Sequence, residues 1–368
     1  MRILILTNKG KIMFKKFLAM IAALMMSMSS SFAVDFSGKT VEWLIPFSAG
    51  GGSDKWARYY APMLSKALPG NPVVVVKNCP GGSGTVCSNQ FAQMKNGDGF
   101  TILGDSGSSK FPFLLDDKRV KYNPTKWPTV LASATGGVVY VSTSKGYASA
   151  KDFKKLQGKK LKYGSQGATS LDLIALLGFD MLGLQVDPVF GYKGRGPARV
   201  AFERGEMTID YQTSSAYLKV KSTLVKEGKA APMFSWGALD AKTGNITRDP
   251  TFPELPSFPE YYQQVHGKKP GGVAWNVWKT FFASGFGGQK MVYLPEGTSA
   301  EIVKIYGDAF DKVHASEEFK KTSNKFLGSY AAAAGPDAQA AAKAAFTIDP
   351  KSKEWIKGHL TKKYQVKF

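Results

Sequence analysis

Apolar residues in the first hundred positions fall into two kinds of segment. Residues 41–47 and 73–77 are short runs of β-branched and aromatic residues, which are typical of buried strands. Between them, apolar residues recur at helical spacing, at Trp56, Ala57, Tyr60, Ala61, Leu64 and Leu68. A helix over about 85–95 and a strand over 100–104 follow. Strands that alternate with helices predict a mostly parallel sheet in an α/β protein.

A second block with the same order begins near residue 136. Residues 136–141 predict a strand that crosses between two lobes of the molecule. Beyond it, the pattern predicts a strand, a loop, a helix and two further strands, over residues 161–164, 165–170, 171–181, 189–190 and 207–211. The strand-loop-helix unit of residues 41–68 is therefore repeated in a second α/β region.

The rest of the chain is less regular. Residues 237–272 are rich in proline, glycine and polar residues, which favours a long ordered loop or insertion. Residues 301–313 have the spacing of an amphipathic helix. The alanine-rich residues 331–345 predict a helix that covers a lobe, because alanine is the best helix former.

The N-terminus has the pattern of a secretory signal peptide. Five basic residues precede an apolar run over 17–26, and Ser31-Phe32-Ala33 offers a small-x-small cleavage site. The run is shorter than the roughly 20 residues that span a bilayer. We therefore expect residues 1–33 to be removed on export, with cleavage after Ala33.

Size and charge narrow the class of protein. Without the leader, 335 of the 368 residues remain, which suits two lobes of ordinary domain size. The formal net charge of +21 falls by five, to +16, and favours an anionic partner. A nucleic-acid surface, a solubility or membrane-surface effect and steering of an acidic ligand would each explain it. Scattered basic residues and the export signal argue against nucleic acid.

The two cysteines, Cys79 and Cys87, flank a glycine-rich loop. In an oxidising compartment we expect them to form a disulfide that rigidifies this loop, the alternative being two buried free thiols. The three histidines, His266, His314 and His359, are not at the spacing of metal ligands, so we expect no metal site.

Two loops rich in glycine and hydroxyl residues carry the candidate chemistry. Each, at 47–54 and 164–170, leads from the end of a strand into a helix. The unpaired amides and partial positive charge of a helix N-terminus bind anions, and glycine lets the backbone approach them closely. If the two loops face each other, a carboxylate between them receives several charge-assisted hydrogen bonds, enough for micromolar binding. Nucleotide motifs are incomplete, so we expect no cofactor.

An enzyme is the alternative hypothesis. Ser83, Ser106 or Ser165, each beside a glycine, would act as nucleophile with a histidine base. None of them lies in a G-x-S-x-G elbow, and the histidines all lie beyond residue 260. A secreted hydrolase or transferase acting on a small acidic substrate in the same cleft is the alternative to a protein that only binds.

The order of several motifs resembles the substrate-binding proteins of tripartite tricarboxylate transporters, the Bug family. The motifs are Pro46 to Asp54 with Ala57-Arg58, then 74–78 with Pro80-Gly81-Gly82-Ser83-Gly84, then Asp98 to Leu103. The similarity continues through 122–124, 163–167, 192–194 and 255–260 and covers most of the mature chain.

This resemblance implies a type II periplasmic-binding-protein fold, with two α/β lobes joined by a two-strand hinge. Lobe one is expected over residues 34–137 plus 232–368, and lobe two over 138–231. The protein would be a periplasmic monomer that closes around a small organic carboxylate and delivers it to a membrane permease without a chemical step. A di- or tricarboxylate, an aromatic acid and an amino acid all remain open as ligands.

The resemblance also assigns ligand-binding positions. They are Phe47, Ser48, Ala49, Gly51, Ser53 and Asp54 in the first loop, and Ser165, Gly167, Ala168 and Ser170 in the second. Three further candidates at strand ends are expected to face the cleft: Tyr192, Lys193 and Asp210. Asp54 has a second interpretation, as a helix cap. The chain departs from the family at Leu171 and Asp172, where a histidine is frequent, which leaves the ligand's identity open.

Overall fold

The computed structural model of the chain describes residues 34–240 and 243–368. The predicted leader, 1–33, lies outside the described residues. Within them, no helix combines the length and the apolar composition that crossing a bilayer requires.

The strands follow the β-branched and aromatic runs of the sequence. In chain order they are β1 (Thr40–Ile45), β2 (Val73–Asn78), β3 (Thr101–Ser106), β4 (Thr129–Ser133), β5 (Gly137–Ser142), β6 (Leu161–Ser165), β7 (Val186–Phe190), β8 (Ile209–Thr213), β9 (Ala230–Ser235), β10 (Ala238–Leu239), β11 (Ile246–Thr247), β12 (Lys290–Tyr293) and β13 (Ala332–Ala334).

The helices lie between these strands and after the last of them. They are α1 (Gly52–Ala67), α2 (Thr85–Phe91), α3 (Gly107–Leu114), α4 (Asp172–Met181), α5 (Arg195–Glu203), α6 (Ser214–Val220), α7 (Phe258–His266), α8 (Gly272–Phe282), α9 (Ala300–Ala315), α10 (Glu317–Phe326), α11 (Gly335–Ala345) and α12 (Pro350–Tyr364).

Two mixed sheets form the centre of the fold. The first has the strand order β13-β4-β12-β3-β1-β2, and the second has the order β7-β6-β8-β5-β9. In each sheet, three strands pair in parallel: β2, β1 and β3 in the first, and β7, β6 and β8 in the second. The other pairs are antiparallel. The prediction of a mostly parallel sheet was therefore wrong for the strands outside the regular strand-helix repeats.

The chain passes from the first sheet to the second between β4 and β5, and it leaves the second sheet after β9. Side chains of α7, α8 and α12 belong to the same hydrophobic cluster as the second sheet, among them Phe258, Trp278 and Ile356. The lobe boundaries and the hinge remain predictions.

The region 237–272 is more regular than its composition predicted, since it contains the hairpin β10–β11 and helix α7. The start of α7 is a capping box, in which Ser257 and Glu260 satisfy each other's backbone amides. The serine-x-x-glutamate spacing was present in the sequence, but the surrounding prolines and glycines obscured it.

The predicted alanine-rich helix is also shorter at its start. Ala332–Ala334 pair with β4 as an edge strand, and α11 begins only at Gly335. Pro336 lies at the first turn, and the residue before a proline is disfavoured in the helical conformation, so the helix cannot extend towards residue 331.

Candidate ligand-binding cleft

The first loop joins β1 to α1 and is held by a carboxylate. Asp54 accepts a hydrogen bond from the Gly50 amide at 2.9 Å, from Arg58 Nε at 2.8 Å and from Asn78 Nδ2 at 3.1 Å. Its carboxylate is thus engaged with the protein's own donors. Helix α1 begins after Gly51 without a side-chain cap, which leaves first-turn amides without a side-chain acceptor.

The second loop joins β6 to α4 and is held in the same way by Asp172. This carboxylate accepts hydrogen bonds from Ser165 Oγ at 2.9 Å, from the Gln166 amide at 2.7 Å and from Tyr211 Oη at 2.9 Å. Gly167 has a φ of +156°, which side-chain-bearing residues rarely adopt. Each loop therefore has its shape fixed by a buried aspartate at the start of the following helix.

Arg195, the first residue of α5, lies behind the second loop. Its buried guanidinium forms ion pairs with Asp172, at 3.3 Å, and with Asp210. It also donates to the Gly164 carbonyl at 2.6 Å and to Tyr163 Oη at 3.1 Å. Two carboxylates thus surround one cation, so Arg195 has little charge left for an external anion.

Both loops line one small cavity. Its walls are Phe47, Gly51, Gly52, Ser53, Ser106, Ser108, Gln166, Leu171, Arg195, Thr213, Gln289 and Lys290. Its volume of about 20 Å³ is roughly that of one ordered water. A larger groove of about 880 Å³ lies between α9 and α11, but no residue of either loop lines it. We assign the site to the small cavity because buried polar groups of both sheets converge there.

Hydrogen bonds connect the two sides of this cleft. The Ser48 amide and hydroxyl both donate to the Lys193 carbonyl, at 2.9 and 3.1 Å. Gln166 Nε2 donates to Ser108 Oγ at 3.0 Å, and Ser215 Oγ donates to the Gly52 carbonyl at 3.2 Å. As it stands, the cavity therefore has room for no molecule larger than about one water.

The predicted disulfide between Cys79 and Cys87 is confirmed. It closes the loop that carries Ser83, whose φ of 62° is left-handed. Ser83 Oγ donates to the Gln166 carbonyl at 2.9 Å. The loop closed by the disulfide therefore contacts the second loop directly.

Replacing Cys79 and Cys87 together by serine is expected to lower the free energy of unfolding by roughly 2.6 kcal/mol, the chain-entropy value for a nine-residue ring. Urea unfolding followed by circular dichroism measures it. The wild type under reducing conditions should behave like the variant, and equal stability of all three samples would contradict the expectation.

Lys290 forms the end of the cleft on the side of the first sheet. Its side chain is 4% exposed, and its ammonium donates to Ser53 Oγ at 2.7 Å. Burial lowers the pKa of Lys290 to about 7, although the nearby carboxylate of Asp105 opposes this shift. Burial likewise raises the pKa of Asp105 to about 7. The cleft thus contains a cation that is not fully compensated.

The predicted ligand residues are distributed unevenly around this cleft. Phe47, Gly51 and Ser53 line the cavity. The side chains of Asp54 and Ser165 form hydrogen bonds with the protein's own groups. The Ser170 hydroxyl donates to the Gly167 carbonyl, and Ala168 is buried. Ala49 is exposed. Contact of these residues with a ligand remains a prediction.

Of the three strand-end candidates, none lines the cavity. Tyr192 is partly buried against the hydrophobic cluster beside β5, and Lys193 contributes its carbonyl to Ser48. Asp210, expected to face the cleft, is 1% exposed and directed instead at Arg195, Tyr140 and Gln212. A carboxylate beside a buried arginine is stabilised there, which explains its orientation.

Several residues that line the cavity were not among the ligand-binding positions that the sequence predicted. Ser106 and Ser108 lie in a third strand-loop-helix turn, Asp105-Ser106-Gly107-Ser108-Ser109, whose composition matches that of the two recognised loops. Gln166 lies within the second loop but was not selected. Gln289 and Lys290 are far away in sequence from both loops. The one feature of the sequence that could have indicated them is a lysine at the start of an apolar strand.

Comparisons with known proteins show which proteins this chain is similar to. No protein-family model matches the chain. A UPF0065 protein of Bordetella pertussis is 27% identical over 281 residues, covering 71% of this chain and 75% of that protein. A UPF0065 protein from the tcbD–tcbE intergenic region of Pseudomonas sp. strain P51 is 27% identical, covering 61% of this chain and 64% of that protein.

Among solved structures, the periplasmic binding protein BugD has a TM-score of 0.64 at 21% identity, covering 90% of this chain and 99% of BugD. The chain has the fold of the periplasmic binding proteins. This confirms the predicted fold class and, with the UPF0065 relatives, the predicted resemblance to the Bug family.

Two further proteins with this fold have ligands. MatC from Rhodopseudomonas palustris, with bound malate, has a TM-score of 0.60 at 17% identity and covers 90% of this chain and 99% of its own. An R. palustris protein with adipate has a TM-score of 0.65 at 19% identity, covering 88% and 98%.

Proposed function

We propose that this chain is a periplasmic solute-binding protein that captures a small organic carboxylate between its two loops. The observation that carries the proposal is the shared cavity, in which the uncapped start of α1 and the buried Lys290 meet the second loop. Amides at a helix start and an ammonium both favour an anion. Malate and adipate, bound by two proteins of the same fold, are dicarboxylates.

The cleft favours binding over turnover. The hydroxyl groups of Ser83 and Ser165 donate to the Gln166 carbonyl and to Asp172, and neither is hydrogen-bonded to a histidine. The imidazoles of His266, His314 and His359 contact Met181, Tyr60 and Asp180, and none of the three lines the cavity. We therefore propose that the acid is released unchanged to a tripartite tricarboxylate-type permease.

The proposed function also requires export of the chain and opening of the cleft. Residues 1–33 would direct the chain to the periplasm and be cleaved there. Opening would break the hydrogen bonds from Ser48, Gln166 and Ser215 across the cleft, and closure around the acid would restore them. A permease that recognises the closed form would then distinguish loaded from empty protein.

Calorimetric titration with malate, adipate, benzoate and aspartate tests this function. We expect at least one acid to bind with a stoichiometry of one and a dissociation constant in the micromolar range, about 8 kcal/mol of binding free energy. NMR of the mixture after a day should show the acid unchanged. Formation of product would support the hydrolase or transferase alternative, and absence of binding by every acid would contradict the proposal.

A further inference from the structure

Lys290 is positioned by two elements that form the cleft. It is the first residue of β12, directly opposite Ser106 of the antiparallel strand β3. Its ammonium meets Ser53 in the first turn of α1. Among the described residues, this hydroxyl is its only hydrogen-bond partner, and it forms no ion pair with any of them. A buried ammonium with one neutral acceptor is an incompletely stabilised charge.

The neighbouring charges do not remove this deficit. Asp105, on β3, is shared with a second buried lysine, Lys110, which donates to the carbonyls of Ser284 and Gly288 at 2.8 and 2.7 Å. On the opposite wall, Arg195 is compensated by Asp172 and Asp210. Of the two cationic side chains that line the cavity, only Lys290 lacks a paired carboxylate.

On the basis of the proposed function, we propose that Lys290 is the counter-charge of the ligand's carboxylate. The carboxylate would accept hydrogen bonds from the ammonium and from first-turn amides of α1. The buried ammonium and the buried carboxylate would then compensate each other.

The direction of the pH effect follows from burial. Because the pKa of Lys290 is lowered to about 7, the amine is largely neutral at pH 8 and largely charged at pH 6. A bound carboxylate favours the charged form and raises this pKa. Binding should therefore take up more protons at pH 8 than at pH 6, and affinity should fall as pH rises above 7.

Other titratable groups near Lys290 have to be separated from it. Asp105 has a pKa raised to about 7 by burial, and Lys110 has one lowered to about 8, also by burial. His314 and Tyr60 line a neighbouring cavity of about 190 Å³ that also reaches Lys290. Burial lowers the pKa of His314 and raises that of Tyr60, so both stay neutral near pH 7 to 8. Only removal of the Lys290 amine itself isolates its contribution.

The test uses whichever of malate, adipate, benzoate and aspartate binds most tightly, and titrates it into the full chain at pH 6 and pH 8. Each titration is run in phosphate and in Tris, whose different ionisation enthalpies report proton uptake. For Lys290→Met we expect a loss of 10- to 100-fold in affinity at pH 6 and a smaller proton uptake at pH 8 than in the wild type, with Asp105 and Lys110 as the remaining titratable groups. Lys66→Met, an exposed lysine on α1 with the same change in charge, should behave like the wild type.

Lys290→Arg provides a second variant that keeps a permanent cation. It should bind the acid with an affinity that depends less on pH than in the wild type, and with less proton uptake, because arginine stays charged. Proton uptake by Lys290→Met equal to that of the wild type would overturn the inference, as would unchanged affinity. These results leave the proposed function intact, whereas a wild type that binds none of malate, adipate, benzoate and aspartate at either pH would remove the function and the inference together.

Discussion

Replacing Arg195 with leucine is expected to lower the free energy of unfolding by about 3–5 kcal/mol, the cost typical of removing one partner from a buried ionic network. The guanidinium is the ion-pair partner of both Asp172 and Asp210, which are fully or almost fully buried. Without it, the carboxylates of Asp172, at the start of α4, and Asp210, on β8, would lie close together with no cation between them.

The measurement is urea unfolding at pH 7, with Arg248→Leu as the matched control. Arg248 pairs with Glu260, but both side chains are about half exposed, so its loss is expected to cost about 1 kcal/mol or less. Asp210→Asn should be milder than Arg195→Leu, since it leaves the Arg195–Asp172 pair in place. Equal stabilities of the Arg195 and Arg248 variants would contradict this account of the network.

Replacing Gly52 with alanine is expected to weaken acid binding by about 10- to 100-fold, because overpacking of this kind costs about 1–3 kcal/mol. A Cβ at this position would overlap Thr213 Oγ1 on the second sheet and lie 3.3 Å from Ser215 Oγ. The φ of Gly52 is not in the left-handed region, so alanine suits the helix start itself. The added methyl group would therefore obstruct closure rather than folding.

A double variant distinguishes these two effects. Thr213→Ala removes the overlapping hydroxyl, so Gly52→Ala with Thr213→Ala should regain most of the affinity. Binding is measured by calorimetry and stability by thermal unfolding in the absence of the acid. Loss of stability in Gly52→Ala that Thr213→Ala fails to restore would mean that the glycine serves the helix and not the closed cleft.

Much of the fold follows from local patterns. The strand-loop-helix units that begin at residues 41 and 161 were predicted because a buried parallel strand and an amphipathic helix each have a distinct periodicity. The disulfide was predictable because two cysteines near in sequence, in a chain predicted to be exported, have one possible partner each. By contrast, the antiparallel strands β12 and β13 pair with residues far away in sequence, and no local pattern specifies such pairing.

The candidate site was only partly predictable for the same reason. Phe47, Gly51 and Ser53 belong to a recognisable glycine-rich loop, and the structure places them in the cavity. Lys290 and Gln289 reach it through the register of β12 against β3, which a single sequence does not encode locally. The orientation of Asp210 depends on Arg195, fifteen residues earlier on a different element.

A crystal structure of the chain with its tightest-binding acid, chosen from malate, adipate, benzoate and aspartate, tests the central claim most directly. The account predicts one carboxylate within hydrogen-bond distance of first-turn amides of α1 and of Lys290 Nζ, with Gln166 of the second loop on its opposite side. An acid bound instead in the groove between α9 and α11, with the hydrogen bonds from Ser48, Gln166 and Ser215 across the cleft still in place, would contradict it.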